Sequence, residues 1–131
     1  MWVGAYVPKQ VLIADDSGMV RRIMKAFLEA TPDVEICGEA SNGLEAVEKA
    51  KALKPDLVLL DLAMPGMNGA EVASVLKKTM PEVPIVLFTM YDENIGKYLT
   101  SAIGVDAVLS KPDGVTALAK AVDAVLTRKP S

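Results

Sequence analysis

The chain has no histidine, a single cysteine and few aromatic residues (5%) among its 131 positions, and it contains no long apolar run. The missing histidine excludes Ser-His-Asp and Cys-His nucleophilic machinery and any His-ligated zinc site. It also removes the usual general base at neutral pH, so a nucleophile in this chain has to work without one. A carboxylate does, because an ordinary Asp is already ionised at neutral pH. The lone Cys37 forms no internal disulfide and fits a reducing cytoplasm. No apolar stretch reaches the roughly 20 residues that span a bilayer. The start, Met1 to Pro8, lacks the basic region of a signal peptide. A cytoplasmic protein without membrane contact is therefore expected. The net charge of −3 argues against a surface that binds nucleic acid by neutralising phosphates. Arg21-Arg22 and Lys77-Lys78, the adjacent basic pairs before the tail, read as solvated helix faces.

Hydrophobic residues make up 51% of the chain, enough for one domain with a real core and too many for disorder. Five apolar runs, at 10–14, 34–40, 57–61, 85–89 and 106–110, read as strands. The second alternates and suits an edge, whereas the first, third and fourth are continuous, as strands covered on both faces are. Helical spacing joins Val20, Ile23, Met24, Phe27 and Leu28, then Ile95, Leu99, Ala102 and Ile103. A last set is Val115, Leu118, Ala119, Val122, Val125 and Leu126. Asn42 with Glu45, and Asn68 with Glu71, have capping-box spacing. Pro32, Pro55, Pro81 and Pro84 punctuate the segments, and the seven methionines read as core filler. There is no internal repeat. The alternation predicts an α/β protein: a single doubly wound (βα)5 domain, flavodoxin-like, with a five-stranded parallel sheet of order 2-1-3-4-5. Residues 9–127 would form it, with 1–8 as an N-terminal extension and 128–131 as a tail or the start of a linker.

In such a sheet the carboxyl ends of the strands share one edge, and ligands bind there. The first run ends in Asp15-Asp16, the third in Asp61, the fourth in Thr89 and the fifth in Ser110-Lys111-Pro112. Each has an ordinary explanation alone. Asp15-Asp16 suits a helix N-cap with a favourable first-turn charge, Asp61 a turn leading to Pro65-Gly66, Thr89 a cap, and Lys111-Pro112 a loop. Together they are harder to dismiss. Three carboxylates at one edge repel one another unless a cation neutralises them, and oxygen-only ligands suit a hard ion such as Mg²⁺. A Mg²⁺ beside a nucleophilic carboxylate, with a lysine and a hydroxyl converging, is what phosphoryl transfer needs.

With Asp15-Asp16, Asp61 followed by Met64-Pro65-Gly66-Met67-Asn68-Gly69, Thr89 and Lys111-Pro112 in that order, residues 9–127 resemble the receiver domains of two-component response regulators. The stretch from Pro32 to Gly43 looks most like receivers that precede LuxR-type helix-turn-helix output domains. The resemblance implies that Asp61 accepts a phosphoryl group from the histidine of a sensor kinase and so switches a partner-binding surface, with no enzymatic turnover. It implies Mg²⁺ held by Asp16, by Asp61, by the backbone carbonyl of Ala63, and by Asp15 largely through water. Lys111 and Thr89 would each engage a phosphoryl oxygen, the Lys111–Pro112 bond would be cis, and phosphorylation would favour a homodimer. Three positions depart from the commonest pattern. Val108 stands where many receivers carry a switching Tyr or Phe. Ala63 and Tyr91, two residues after Asp61 and Thr89, flank the phosphate.

The main alternative is a degenerate receiver acting as a phosphorylation-independent interaction module. The intact Asp15, Asp16, Asp61, Thr89 and Lys111 weigh against it. An aspartyl-phosphate phosphohydrolase of the haloacid dehalogenase type would place Asp-x-Asp after the first strand, where this chain has adjacent aspartates. A flavodoxin would have to seat its flavin phosphate against Asp15 and Asp16.

Overall fold

The computed structural model describes residues 7–89, 101–110 and 114–127. Along the chain come β1 (Lys9–Ala14), α1 (Gly18–Glu29), β2 (Val34–Ala40), α2 (Gly43–Leu53), β3 (Leu57–Leu60), α3 (Gly69–Thr79) and β4 (Ile85–Thr89). Helical residues 101–103 (α4), β5 (Ala107–Ser110) and α5 (Gly114–Thr127) follow. All strand pairs are parallel and the order is β2-β1-β3-β4-β5, the expected one, with the alternating strand β2 at an edge. The fold is flavodoxin-like.

Successive side chains of a strand point to opposite faces, so the continuous apolar runs feed two separate cores. Leu12, Ala14, Val58, Leu60, Ile85 and Leu87 pack on one face with Ala46, Val47 and Ala50 of α2 and Val72, Ala73 and Leu76 of α3. Val11, Ile13, Leu57, Leu59, Val86 and Phe88 pack on the other with Met24 and Leu28 of α1 and Leu118, Val122 and Val125 of α5. The three inner strands are thus buried on both sides, which leaves only their ends for chemistry.

Helix α1 corrects one expectation. Met24 and Leu28 reach the core and Val20 packs at its margin, but Ile23 and Phe27 are 45% and 42% exposed. Consecutive helical residues are turned by about 100°, so Ile23 and Phe27 lie on the next row with Met19, which is also exposed. Met19 likewise departs from the expectation that the methionines fill the core, which Met24 and Met64 do. The α1 N-cap is Ser17, whose side chain accepts from the Val20 N–H at 3.2 Å. Asp15 and Asp16 are therefore not the cap.

At α3 the expected capping box is complete. The Asn68 side chain accepts from the Glu71 N–H at 2.9 Å, and Glu71 accepts from the Asn68 N–H at 3.4 Å. At α2, Asn42 accepts from the Glu45 N–H, but the Glu45 carboxylate returns to the Ser41 N–H, one residue earlier than expected.

Lys77 is not on a solvated face either. Its ammonium lies 3.1 Å from Asp106 Oδ2 and donates to the Val83 carbonyl. The same Asp106 oxygen accepts from the Ile85 N–H at 2.8 Å, so Asp106 ties the starts of β4 and β5 to α3 and stands just before β5. In β2, burial pushes the Cys37 thiol above its ordinary range; a backbone hydrogen bond opposes this, and the charges of Asp56 and Glu35 add to it. That keeps Cys37 a thiol.

The start of α3 lies against the backbone at the end of β3. A Cβ added at Gly69 would stand 2.4 Å from the Asp61 carbonyl oxygen and 2.8 Å from the Leu62 Cα. Both are main-chain atoms and cannot swing aside. Gly69→Ala, although alanine is the better helix former, is expected to lower stability by about 1–3 kcal/mol through overpacking. Urea unfolding of the two proteins measures it.

Candidate functional site

The parallel ladder between β1 and β3 builds the site. Ala14 pairs with Leu60, and the Asp61 N–H donates to the Ala14 carbonyl at 2.8 Å. The next residues of the two strands, Asp15 and Asp61, therefore leave the sheet side by side. Asp15 is held on both sides: its N–H donates to the Ala40 carbonyl at 3.0 Å, and its Oδ1 accepts from the Ser17 N–H at 2.9 Å. Asp61 Oδ1 accepts from the Ala63 N–H at 3.4 Å.

Asp15, Asp16 and Asp61 each offer a carboxylate oxygen, all within 4.8 Å of one another. Asp15 and Asp61 are buried and Asp16 is exposed, so the cluster is open to solvent on the Asp16 side. An all-oxygen donor set of this size, floored by two buried carboxylates, fits a hard divalent cation. Ala63, the expected carbonyl ligand, is two residues beyond Asp61 in the same loop and exposed.

Thr89 ends β4 opposite Ser110, the residue before Lys111. This puts both strand ends at the same edge as Asp61. The Thr89 side chain, Tyr91, Lys111 and the Lys111–Pro112 bond lie outside the described residues. Val108, at the expected switch position, pairs with Leu87 and packs half-buried against the α2–α3 core.

The response regulator receiver domain family matches the chain over residues 11–123. The chain belongs to the response regulator receiver family. The response regulator protein VraR of Staphylococcus saprophyticus is 37% identical over 116 residues, 88% of this chain and 56% of that protein. VraR of Staphylococcus aureus is 37% identical over 113 residues, 86% of this chain and 54% of that protein. The chain thus spans about half the length of the curated relatives it matches. Among solved structures, the signal receiver domain of NarL from Mycobacterium tuberculosis has a TM-score of 0.86 and 31% identity, covering 94% of this chain and 99% of that one. A DNA-binding response regulator of the LuxR family from Staphylococcus aureus has a TM-score of 0.84 and 27% identity, covering 91% and 99%. The receiver is thus a signalling domain of two-component systems, whose response regulators take their signals from sensor kinases.

Two residues at the rim of the receiver site carry no motif. Arg21 of α1 lies 3.2 Å from Glu39 at the end of β2 and donates to the Asp15 carbonyl, which corrects its reading as part of a solvated pair; Arg22 is the exposed member. No helix among the described residues is long and apolar enough to cross a membrane.

Three like charges in so small a space oppose folding when no cation is present. Asp16→Asn is accordingly expected to raise the melting temperature of the receiver by a few degrees in metal-free, low-salt buffer. The gain should shrink as salt screens the repulsion; melting curves with and without a chelator check it.

Proposed function

We propose that this receiver takes a phosphoryl group from a sensor kinase histidine onto Asp61 with Mg²⁺ and thereby switches a partner-binding surface. The observation that carries the reading is the cluster of Asp15, Asp16 and Asp61 at the carboxyl edge of the sheet, in a chain that belongs to the receiver family. In the transfer an Asp61 oxygen attacks phosphorus as the phosphorus–nitrogen bond of the phosphohistidine breaks, and the departing imidazole nitrogen takes up a proton. Asp61 needs no general base for this, which suits a chain without histidine.

Asp16, Asp61 and the Ala63 carbonyl would hold the Mg²⁺ directly, with Asp15 bound largely through water. When bound, the ion neutralises charge on the carboxylates and on the transferring phosphoryl oxygens. Lys111 pairs with one phosphoryl oxygen and the Thr89 hydroxyl with another, and a cis Lys111–Pro112 bond belongs to the same proposal. Movement of Thr89 would carry the signal to the face of α4, β5 and α5. Val108 is too short to follow as an aromatic ring does, and its half-buried packing supports a muted change on that face.

We place the receiver in the cytoplasm. Phosphorylation would favour a homodimer and act on a LuxR-type DNA-binding output, as the similarity to LuxR-family regulators supports. The net charge of −3 supports a receiver that does not itself bind nucleic acid.

Incubation with Mg²⁺ and acetyl phosphate should add one acid-stable, base-labile phosphoryl group, visible by intact-protein mass spectrometry. Asp61→Asn should lose it entirely, and normal labelling of that variant overturns the proposal. Lifetime provides a second measure. Hydrolysis needs a water in line with the Asp61–phosphorus bond. Ala63 has no polar side-chain atom to orient one, and Tyr91 is bulky enough to cover the approach. The double variant Ala63→Asn with Tyr91→Glu should therefore lose phosphate at least severalfold faster than the parent. Equal decay rates would show that neither position governs the water.

A further inference from the structure

Arg21 and Glu39 belong to none of the motifs above, yet they meet beside the acidic cluster. Arg21, in the first turn of α1, donates from Nη1 to the Asp15 carbonyl at 2.5 Å and from Nε to Glu39 Oε1 at 3.2 Å. Only 20% of its side chain is exposed. The carbonyl it holds lies in the planar peptide unit that joins Asp15 to Asp16. That unit turns only through ψ of Asp15 and φ of Asp16. A guanidinium clamped on its oxygen therefore fixes the directions from which both carboxylates depart. The preceding peptide is fixed as well, because the Asp15 N–H donates to the Ala40 carbonyl.

Glu39 is aimed at Arg21 by an irregularity in β2. Val34 and Ile36 pack on the α1–α5 face, and strict alternation would send Glu39 to the opposite face. The register with β1 shifts between Val11 and Leu12, so that Val11 pairs with Ile36 and Leu12 with Gly38. Cys37 is the extra residue, packed against the α2–α3 core. A one-residue insertion reverses the facing of everything after it. Gly38 then faces Leu12 and Leu53 of the α2 side, and Glu39 falls in register with Ile13 on the α1 side. There Lys25 also approaches its carboxylate at 4.0 Å, while Lys49 of α2 donates to its carbonyl.

We infer that Arg21, aimed by Glu39, is a positioning residue that presets the Asp15–Asp16 peptide for a divalent cation. The inference rests on the Mg²⁺ reading of the acidic cluster given above. Its sign is diagnostic. A guanidinium beside a cation site weakens cation binding by Coulomb repulsion, so as a mere charge Arg21 would improve Mg²⁺ affinity on removal. As a positioning group it would do the reverse, and partners just outside the ligands typically carry 10–100-fold of metal affinity.

Calorimetric titration of the full chain with Mg²⁺ alone, paired with metal-free melting curves, separates these. Arg21→Gln should bind Mg²⁺ roughly tenfold more weakly than the parent at a temperature where both are folded. Arg21→Lys keeps the charge but not the fork that spans the carbonyl and Glu39, and should remain severalfold weaker. The pair Arg21→Gln with Glu39→Gln should be no weaker than Arg21→Gln alone, since both act through one contact. Affinity of Arg21→Gln equal to or above that of the parent overturns the inference. Should that variant not fold, parental affinity in Arg21→Lys overturns it instead. A parent chain that takes no Mg²⁺ refutes the reading of the site itself. A parent that binds Mg²⁺ and is phosphorylated, with Arg21→Gln unchanged, refutes only the positioning role.

Discussion

Ala14 and Leu60 lie side by side in the parallel ladder, and the Asp61 N–H donates to the Ala14 carbonyl, so β1 and β3 release Asp15 and Asp61 at the same height. In a parallel pair the register is held by evenly spaced main-chain bonds along its length. A slip of one residue would turn every inward side chain to the wrong face. The apolar alternation that fills two cores is therefore also what holds two carboxylates together. The placement of Asp15 beside Asp61 follows from that shared register.

Such a site runs against the grain of folding. Asp15 and Asp61 are buried, and carboxylates removed from water are costly unless hydrogen-bonded or paired. Backbone N–H groups of Ser17 and Ala63 meet part of that need. The scaffold that buries them is held by its aliphatic core, where each fully buried side chain contributes roughly 1.5–3 kcal/mol. The receiver sets these carboxylates at the ends of its most deeply buried strands, and in that way a rigid frame tolerates like charges held close together.

The two faces of the sheet serve this frame differently. On the α2–α3 face the loop after β3 is pinned: α2 starts at Gly43, where a Cβ would stand 1.9 Å from the Met67 carbonyl oxygen. On the α1–α5 face the contact with the site runs through charged groups, from Glu39 to Arg21 to the Asp15 carbonyl. Lys25 and Lys49 add further cations around Glu39. Exposed single ion pairs are worth little, but the Arg21 fork is mostly covered and binds main chain as well as carboxylate, which gives it directional control.

Much of this was legible along the chain. Continuous apolar runs at 57–61 and 85–89 mark strands covered on both sides, Asn68 with Glu71 marks the start of α3, and an alternating second run beside three continuous ones points to the sheet order. Strand-end residues Asp15, Asp16 and Asp61 follow directly, because the carboxyl ends of parallel strands share an edge. What the sequence determined, then, is periodicity and order, since both depend on neighbours along the chain. Tertiary structure decided the rest. It chose Ser17 over the aspartates as the cap of α1 and turned Ile23 and Phe27 outward. It gave Lys77 to Asp106, and through the extra residue at Cys37 it brought Glu39 round to Arg21. A bulge and a helix rotation leave no periodic trace of their own; they are set by how strand and helix pack against partners distant in sequence.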